Sequence, residues 1–131
     1  MAIMFSIVVC LDHLPNMKLS TNGRGQIHFM ERSKLVQEAK DEAYLLAKES
    51  LSKCSWWIVP TKARISYEFY TNDRRVKDLD NLISATKATV DGLVLAGLIT
   101  SDSGWDLSIG KAELLTANQK QTRLIIEAID E

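Results

Sequence analysis

Residues 63–70, Ala-Arg-Ile-Ser-Tyr-Glu-Phe-Tyr, alternate strictly. Ile65, Tyr67 and Phe69 fall on one side, and Ser66, Glu68 and Tyr70 on the other. A period of two marks a strand with one buried face. Helical periodicity lies on both sides of this strand. Upstream, Val36, Ala39, Ala43, Leu46, Ala47 and Leu51 recur at helical spacing with charges opposite, which predicts a helix over 31–53. Downstream, a second helix is predicted from Asp80 to Ala96, with Gly97 as its C-terminal stop. The β-rich run 3–11 (IMFSIVVCL) supplies a first strand. Two more strands fit at 105–114 and 121–129, joined by the Ala117–Gln121 turn. The order strand, helix, strand, helix, strand, strand defines an α/β (α+β) chain: a mixed β-sheet with two helices packed on it.

The 131 residues suffice for one domain and one hydrophobic core, and no linker, repeat or low-complexity tract divides them. A single domain over 1–131 is expected. No apolar run reaches the ~18–20 residues of a membrane span. The apolar N-terminus lacks a basic flank and a small-residue cleavage site, so it reads as the first strand and not as a signal peptide. Cys10 and Cys54 form no ligand-spaced motif and read as free core thiols of a reducing, cytoplasmic protein. Residues 12–30 carry Pro15, Asn16 and the run Asn22-Gly23-Arg24-Gly25, as a mobile loop or irregular hairpin would. The formal net charge is −1, whereas nucleic-acid-binding domains are usually basic. Any nucleic-acid contact must therefore use a local patch such as Arg74, Arg75 and Lys77.

The stretch from Asp73 to Asp106 carries the chemistry. Asp78 and Asp80 are two residues apart at an expected strand-to-helix junction. In extended backbone, residues i and i+2 point the same way. Two carboxylates could then face one divalent cation, and hard oxygen ligands suit Mg²⁺ or Mn²⁺. Either aspartate could equally serve as a helix cap. At ~100° per residue, Asp80, Ser84, Lys87 and Asp91 share one narrow helix face. Lys87 and Asp91 could make an ordinary exposed i,i+4 pair, or Lys87 could reach a phosphate or the attacking water.

Taken together, these elements resemble the pattern of the RusA-type Holliday-junction resolvases. They are the basic run Arg74-Arg75-Val76-Lys77, then Asp78-Leu79-Asp80-Asn81, Lys87, Asp91-Gly92-Leu93, Ala96-Gly97 and the acidic turn at Asp102. The resemblance implies a Mg²⁺-dependent endodeoxyribonuclease that resolves four-way DNA junctions by paired nicks, in recombination and repair, often phage or prophage encoded. It implies metal ligation by Asp78, Asp80 and Asp102, and a catalytic lysine at Lys87. Arg74, Arg75, Lys77 and, in the glycine-flanked loop, Arg24 are the expected DNA contacts. The chain departs from the pattern in three places: extra residues between Asn81 and Lys87, Lys77 where arginine is common, and Ser101 where a second acid often stands. The competing readings are a metal-dependent nuclease for other branched DNA, a non-catalytic DNA-binding protein, and a generic α/β interaction module.

Geometry then raises a conflict. An unbroken helix of ~17 residues is about 25 Å long. The stretch from Gly97 to Asp102 spans only ~17 Å when fully extended. Asp102 cannot readily return to Asp78 and Asp80 unless the helix kinks. A two-fold homodimer with antiparallel helices would instead form composite sites, with Asp78 and Asp80 from one subunit and Asp102 from its partner. Of the other polar and aromatic residues, His13 and His28 have no partner at ligand spacing, and Trp56 and Trp57 read as core. Trp105 could pack at an interface or on DNA, and Glu68 could assist the site or face solvent.

Overall fold

The computed structural model describes residues 2–20 and 28–130. Strand β1 (Ala2–Leu11) pairs antiparallel with β4 (Gln121–Asp130), which pairs antiparallel with β2 (Ala63–Thr71). The far side of β2 pairs parallel with β3 (Leu107–Thr116), giving the order β1-β4-β2-β3. Parallel neighbours need a crossover connection. Here it runs through α2 (Leu79–Ser84) and α3 (Lys87–Ala96). Helix α1 (Phe29–Lys53) connects β1 to β2. The chain is thus a mixed four-stranded sheet of the α+β class, with helices packed on one face. Among the described residues, no helix is long and apolar enough to cross a membrane.

The alternation at 63–70 sets the two faces. Ile65, Tyr67 and Phe69 are buried beneath the helices, and their neighbours on that face are Val9, Leu124 and Ile126. The opposite face carries a polar ladder. Arg64 Nε donates to Glu127 Oε1 at 3.1 Å, and Arg123 lies 3.5 Å from Glu68 Oε1. Glu68 also accepts from the Tyr70 hydroxyl at 2.8 Å, so it stands on the helix-free face of the sheet.

Small residues bring α1 and α3 together. Ala43 and Ala47 are fully buried on α1. A Cβ added at Gly92 would lie 2.4 Å from the Lys40 carbonyl oxygen and 2.8 Å from Ala43 Cβ. The glycine in Asp91-Gly92-Leu93 is therefore required by helix packing. Trp57 closes the core under these helices, with Nε1 donating to Leu98 O at 3.0 Å, while Trp56 stays half exposed.

Three sequence expectations need correction. The second helix is not continuous, because it breaks at Ala85–Thr86. Thr86 Oγ1 donates to Ile83 O at 2.6 Å, and Thr86 N donates to the same carbonyl at 3.0 Å. Hydroxyl back-bonding of this kind competes with the i→i−4 ladder. Thr86 is buried, with the Tyr67 hydroxyl 3.3 Å away, so tertiary packing holds the break open. Gly97 does end α3, at φ +85. Secondly, no strand leads directly into Asp78: β2 ends at Thr71 and an irregular turn follows. Thirdly, Cys10 is a free but exposed thiol on the outer strand, and not a core residue; Cys54 is free and half-buried.

Candidate functional site

The turn between β2 and α2 is built around Asp73. Its carboxylate accepts from Lys77 Nζ, from Arg75 N at 3.0 Å, and pairs with Lys120 Nζ at 3.2 Å. These donors, the Lys77 ammonium foremost, hold the Asp73 carboxyl well below the usual carboxylate range. Lys77 is consequently folded back into the turn. Arg74, Arg75 and Val76 are left projecting into solvent, Val76 almost completely. No ion pair engages Arg74 or Arg75 among the described residues.

Asp78 has extended backbone (φ −79, ψ 124) and is the N-cap residue of α2, yet its side chain makes no capping bond. Asn81 Nδ2 approaches it at 3.4 Å. Asp80 lies in the first helical turn, where its Oδ1 accepts from Asn81 N at 3.0 Å. Both aspartates are exposed, and neither is ion-paired with a described residue. Asp78 borders a groove of about 250 Å³ together with Lys77, Asn81, Leu14, Pro15 and Met17.

Lys87, at the start of α3, donates to Asp102 Oδ2 and to Asp91 Oδ1, the latter at 2.9 Å. The i,i+4 pair with Asp91 is therefore real, and Asp102 joins it from beyond the helix end. The Asp102 hydrogen bond is the main reason the Lys87 ammonium is held more firmly protonated. Reciprocally, Lys87 pulls the Asp102 carboxyl below its ordinary value. The turn that carries Asp102 is tied locally, Ser101 Oγ donating to Asp106 Oδ2 at 2.7 Å. Trp105 follows it and is 87% exposed.

The loops that carry the two halves of the expected centre are anchored at opposite ends of β2. The loop carrying Asp78 leaves the C-terminal end of β2, where Ala117 N donates to Thr71 O at 3.0 Å. The loop carrying Asp102 returns beside the strand's N-terminal end: Ala63 N donates to Asp106 O at 2.9 Å, and Thr100 Oγ1 to Pro60 O at 2.7 Å. Asp78, Asp80 and Asp102 do not form a group of mutually close ligand atoms within the chain. Asp102 reaches Lys87 instead. Asp80 lies on α2 and Lys87 begins α3, on either side of the break at Thr86.

Among the described residues, one set of three side chains does offer mutually close ligand atoms. Asp12, His13 and Glu42 place theirs within 4.8 Å of one another. Sequence reading passed over His13 because Glu42 lies far along the chain on α1. Only the packing of α1 against β1 brings them together. His28, by contrast, is the N-cap of α1, its Nδ1 accepting from Met30 N at 3.2 Å. Arg24 lies outside the described residues. No protein-family model matches the chain, and no curated protein sequence matches it.

Proposed function

We propose that the chain is a Mg²⁺-dependent endonuclease acting on branched DNA, with four-way junctions as its substrate in recombination and repair. The observation that carries this reading is the pairing of two exposed carboxylates, Asp78 and Asp80, with the projecting guanidinium groups of Arg74 and Arg75 just before them. Free carboxylates beside free cations are what a phosphate backbone and a hydrated dication require together. Mg²⁺ is commonly held by one or two carboxylates while keeping several waters, and Asp78 and Asp80 fit that demand. A dication bound there would neutralise phosphodiester charge and lower the pKa of a bound water. Arg74 and Arg75 would hold flanking phosphates, and Asp80 would keep the centre anionic.

Asp102 would complete the centre from a second copy of the chain. The three carboxylates are not mutually close within one chain, which supports this reading. Leu95 on the last turn of α3 and Trp105 just past Asp102 are both exposed, and offer apolar surface for such a contact. A homodimer also suits a four-way junction, which needs two symmetric nicks. Lys87 would then deliver Asp102, or exchange it for a phosphate when DNA binds. Cytoplasmic localisation and a phage or prophage setting belong to the same proposal.

A second reading is favoured by one observation. Lys87 already neutralises Asp102 within the chain, which fits a non-catalytic DNA-binding protein on the same architecture. Cleavage assays on four-way, flap and duplex DNA, with Mg²⁺ and with EDTA, separate the readings. Paired nicks in the four-way substrate that vanish in EDTA support the proposal; tight binding without nicking supports the second reading. Mixing Asp80→Asn with Asp102→Asn protein tests the shared site. Regained nicking is expected, because one of the two composite sites in a mixed dimer is intact. A mixture as inactive as its components overturns the composite arrangement.

A further inference from the structure

We infer that Asp12, His13 and Glu42 form a binding site for a first-row transition-metal dication, Zn²⁺ foremost, separate from the Asp78–Asp80 centre. His13 Nε2 stands 2.8 Å and 2.9 Å from the two carboxylate oxygens of Glu42. Its other ring nitrogen, Nδ1, lies 2.8 Å from Leu14 O. A backbone carbonyl at Nδ1 fixes the proton there and turns Nε2 into the ligand nitrogen, the usual outer-sphere support of a metal-bound histidine. Ligand atoms of a tetrahedral zinc lie ~3.4 Å apart, given bonds of about 2.0–2.1 Å. The Nε2 to Glu42 separations thus need to open only slightly once a dication replaces the proton between them. Asp12 is exposed, and its carboxylate already lies within 4.8 Å of the other two ligand atoms.

Buried residues anchor the backbone that carries these ligands. The His13 carbonyl accepts from Oγ1 of Thr122 at 2.7 Å, and Thr122 is fully buried on β4. Glu42 projects from α1 one residue before buried Ala43. A cleft of about 470 Å³ opens beside them, with Leu14, Leu19 and Leu35 in its wall and Glu38 as a further carboxylate. Glu38 and Glu42 line this cleft with His13, and Asp12 shares a second groove with Glu42, so the local field attracts a dication. Imidazole together with carboxylates suits zinc and its neighbours better than Mg²⁺. Leu14 and Pro15 also wall the groove at Asp78. A dication at His13 would thus brace one wall of that groove without entering it.

The test is metal binding by the full chain, stripped with chelator and then titrated with Zn²⁺ by calorimetry and with Co²⁺ by visible absorption. One site per chain is expected. His13→Gln and Glu42→Gln should each weaken binding by about tenfold or more, and an Asp78→Asn/Asp80→Asn variant should keep it. The two single substitutions check one another, and thermal melting of each metal-free variant reports that it is folded. Unchanged Zn²⁺ affinity in folded His13→Gln and Glu42→Gln proteins overturns the site and leaves a plain imidazole–carboxylate pair. Loss of binding in the Asp78→Asn/Asp80→Asn variant also overturns it, by assigning the ion to the other centre.

Discussion

Lys87 joins Asp91, one turn along α3, to Asp102, which reaches it from beyond the helix end. The Lys87–Asp102 contact brings two elements of the sequence motif into direct touch across a loop. Lys87→Met removes an exposed pair, so the loss in unfolding free energy is at most about 1 kcal/mol. The Asp102 carboxyl, no longer held down by the ammonium, titrates at higher pH, which NMR of the side-chain carboxyl reads directly. If Lys87 also serves DNA cleavage, activity falls by about a hundredfold. Cleavage that tracks the small stability change would mark a structural role alone.

Asp80→Asn keeps the fold, because the side chain is exposed and its hydrogen bond to Asn81 N survives with an amide oxygen. Junction binding persists while Mg²⁺-dependent nicking is lost. Gel-shift and cleavage measured on the same preparation decide this. Nicking at the wild-type rate removes Asp80 from the centre.

Arg74 and Arg75 project without ion-pair partners among the described residues. Replacing both with alanine weakens binding to all DNA sequences alike. The slope of log affinity against log salt drops by about two, roughly one for each phosphate contact. An unchanged slope means that these arginines do not meet the backbone.

Asp73 ties down the same turn, and its pH dependence has a definite sign. Its carboxyl pKa is depressed in the folded chain, so the stabilisation is complete above the unfolded value, about 3.9, and is lost as pH falls through the lower folded value. The Arg75 amide, which donates to Asp73, should therefore keep its NMR shift through the ordinary carboxylate range and move only in stronger acid. A midpoint near the unperturbed value would show that Lys77 and Lys120 do not hold this carboxylate in solution.

Gly92→Ala drives a methyl group into the Lys40 carbonyl and Ala43. Helices α1 and α3 must separate, at a cost of about 1–3 kcal/mol. Urea unfolding measures it. A neutral substitution would mean that the helices pack less closely than their small residues allow.

What the sequence determined by itself was local. Alternation at 63–70 sorted Ile65, Tyr67 and Phe69 from Ser66, Glu68 and Tyr70, because a pleated strand has a period of two whatever surrounds it. Gly97 stopped α3 because its left-handed conformation suits glycine. The spacing of Asp78 and Asp80, and the basic residues before them, were equally legible. The tertiary structure decided what meets what. Whether Thr86 continues a helix depends on the burial of its hydroxyl beside Tyr67, and no proline or glycine marks that break in the chain. Which end of β2 each loop approaches depends on the parallel pairing with β3. Asp102 meets Lys87, and His13 meets Glu42, only because packed elements carry distant residues together. Periodicity records the environment of one segment, whereas a site assembled from several segments is recorded only in their packing.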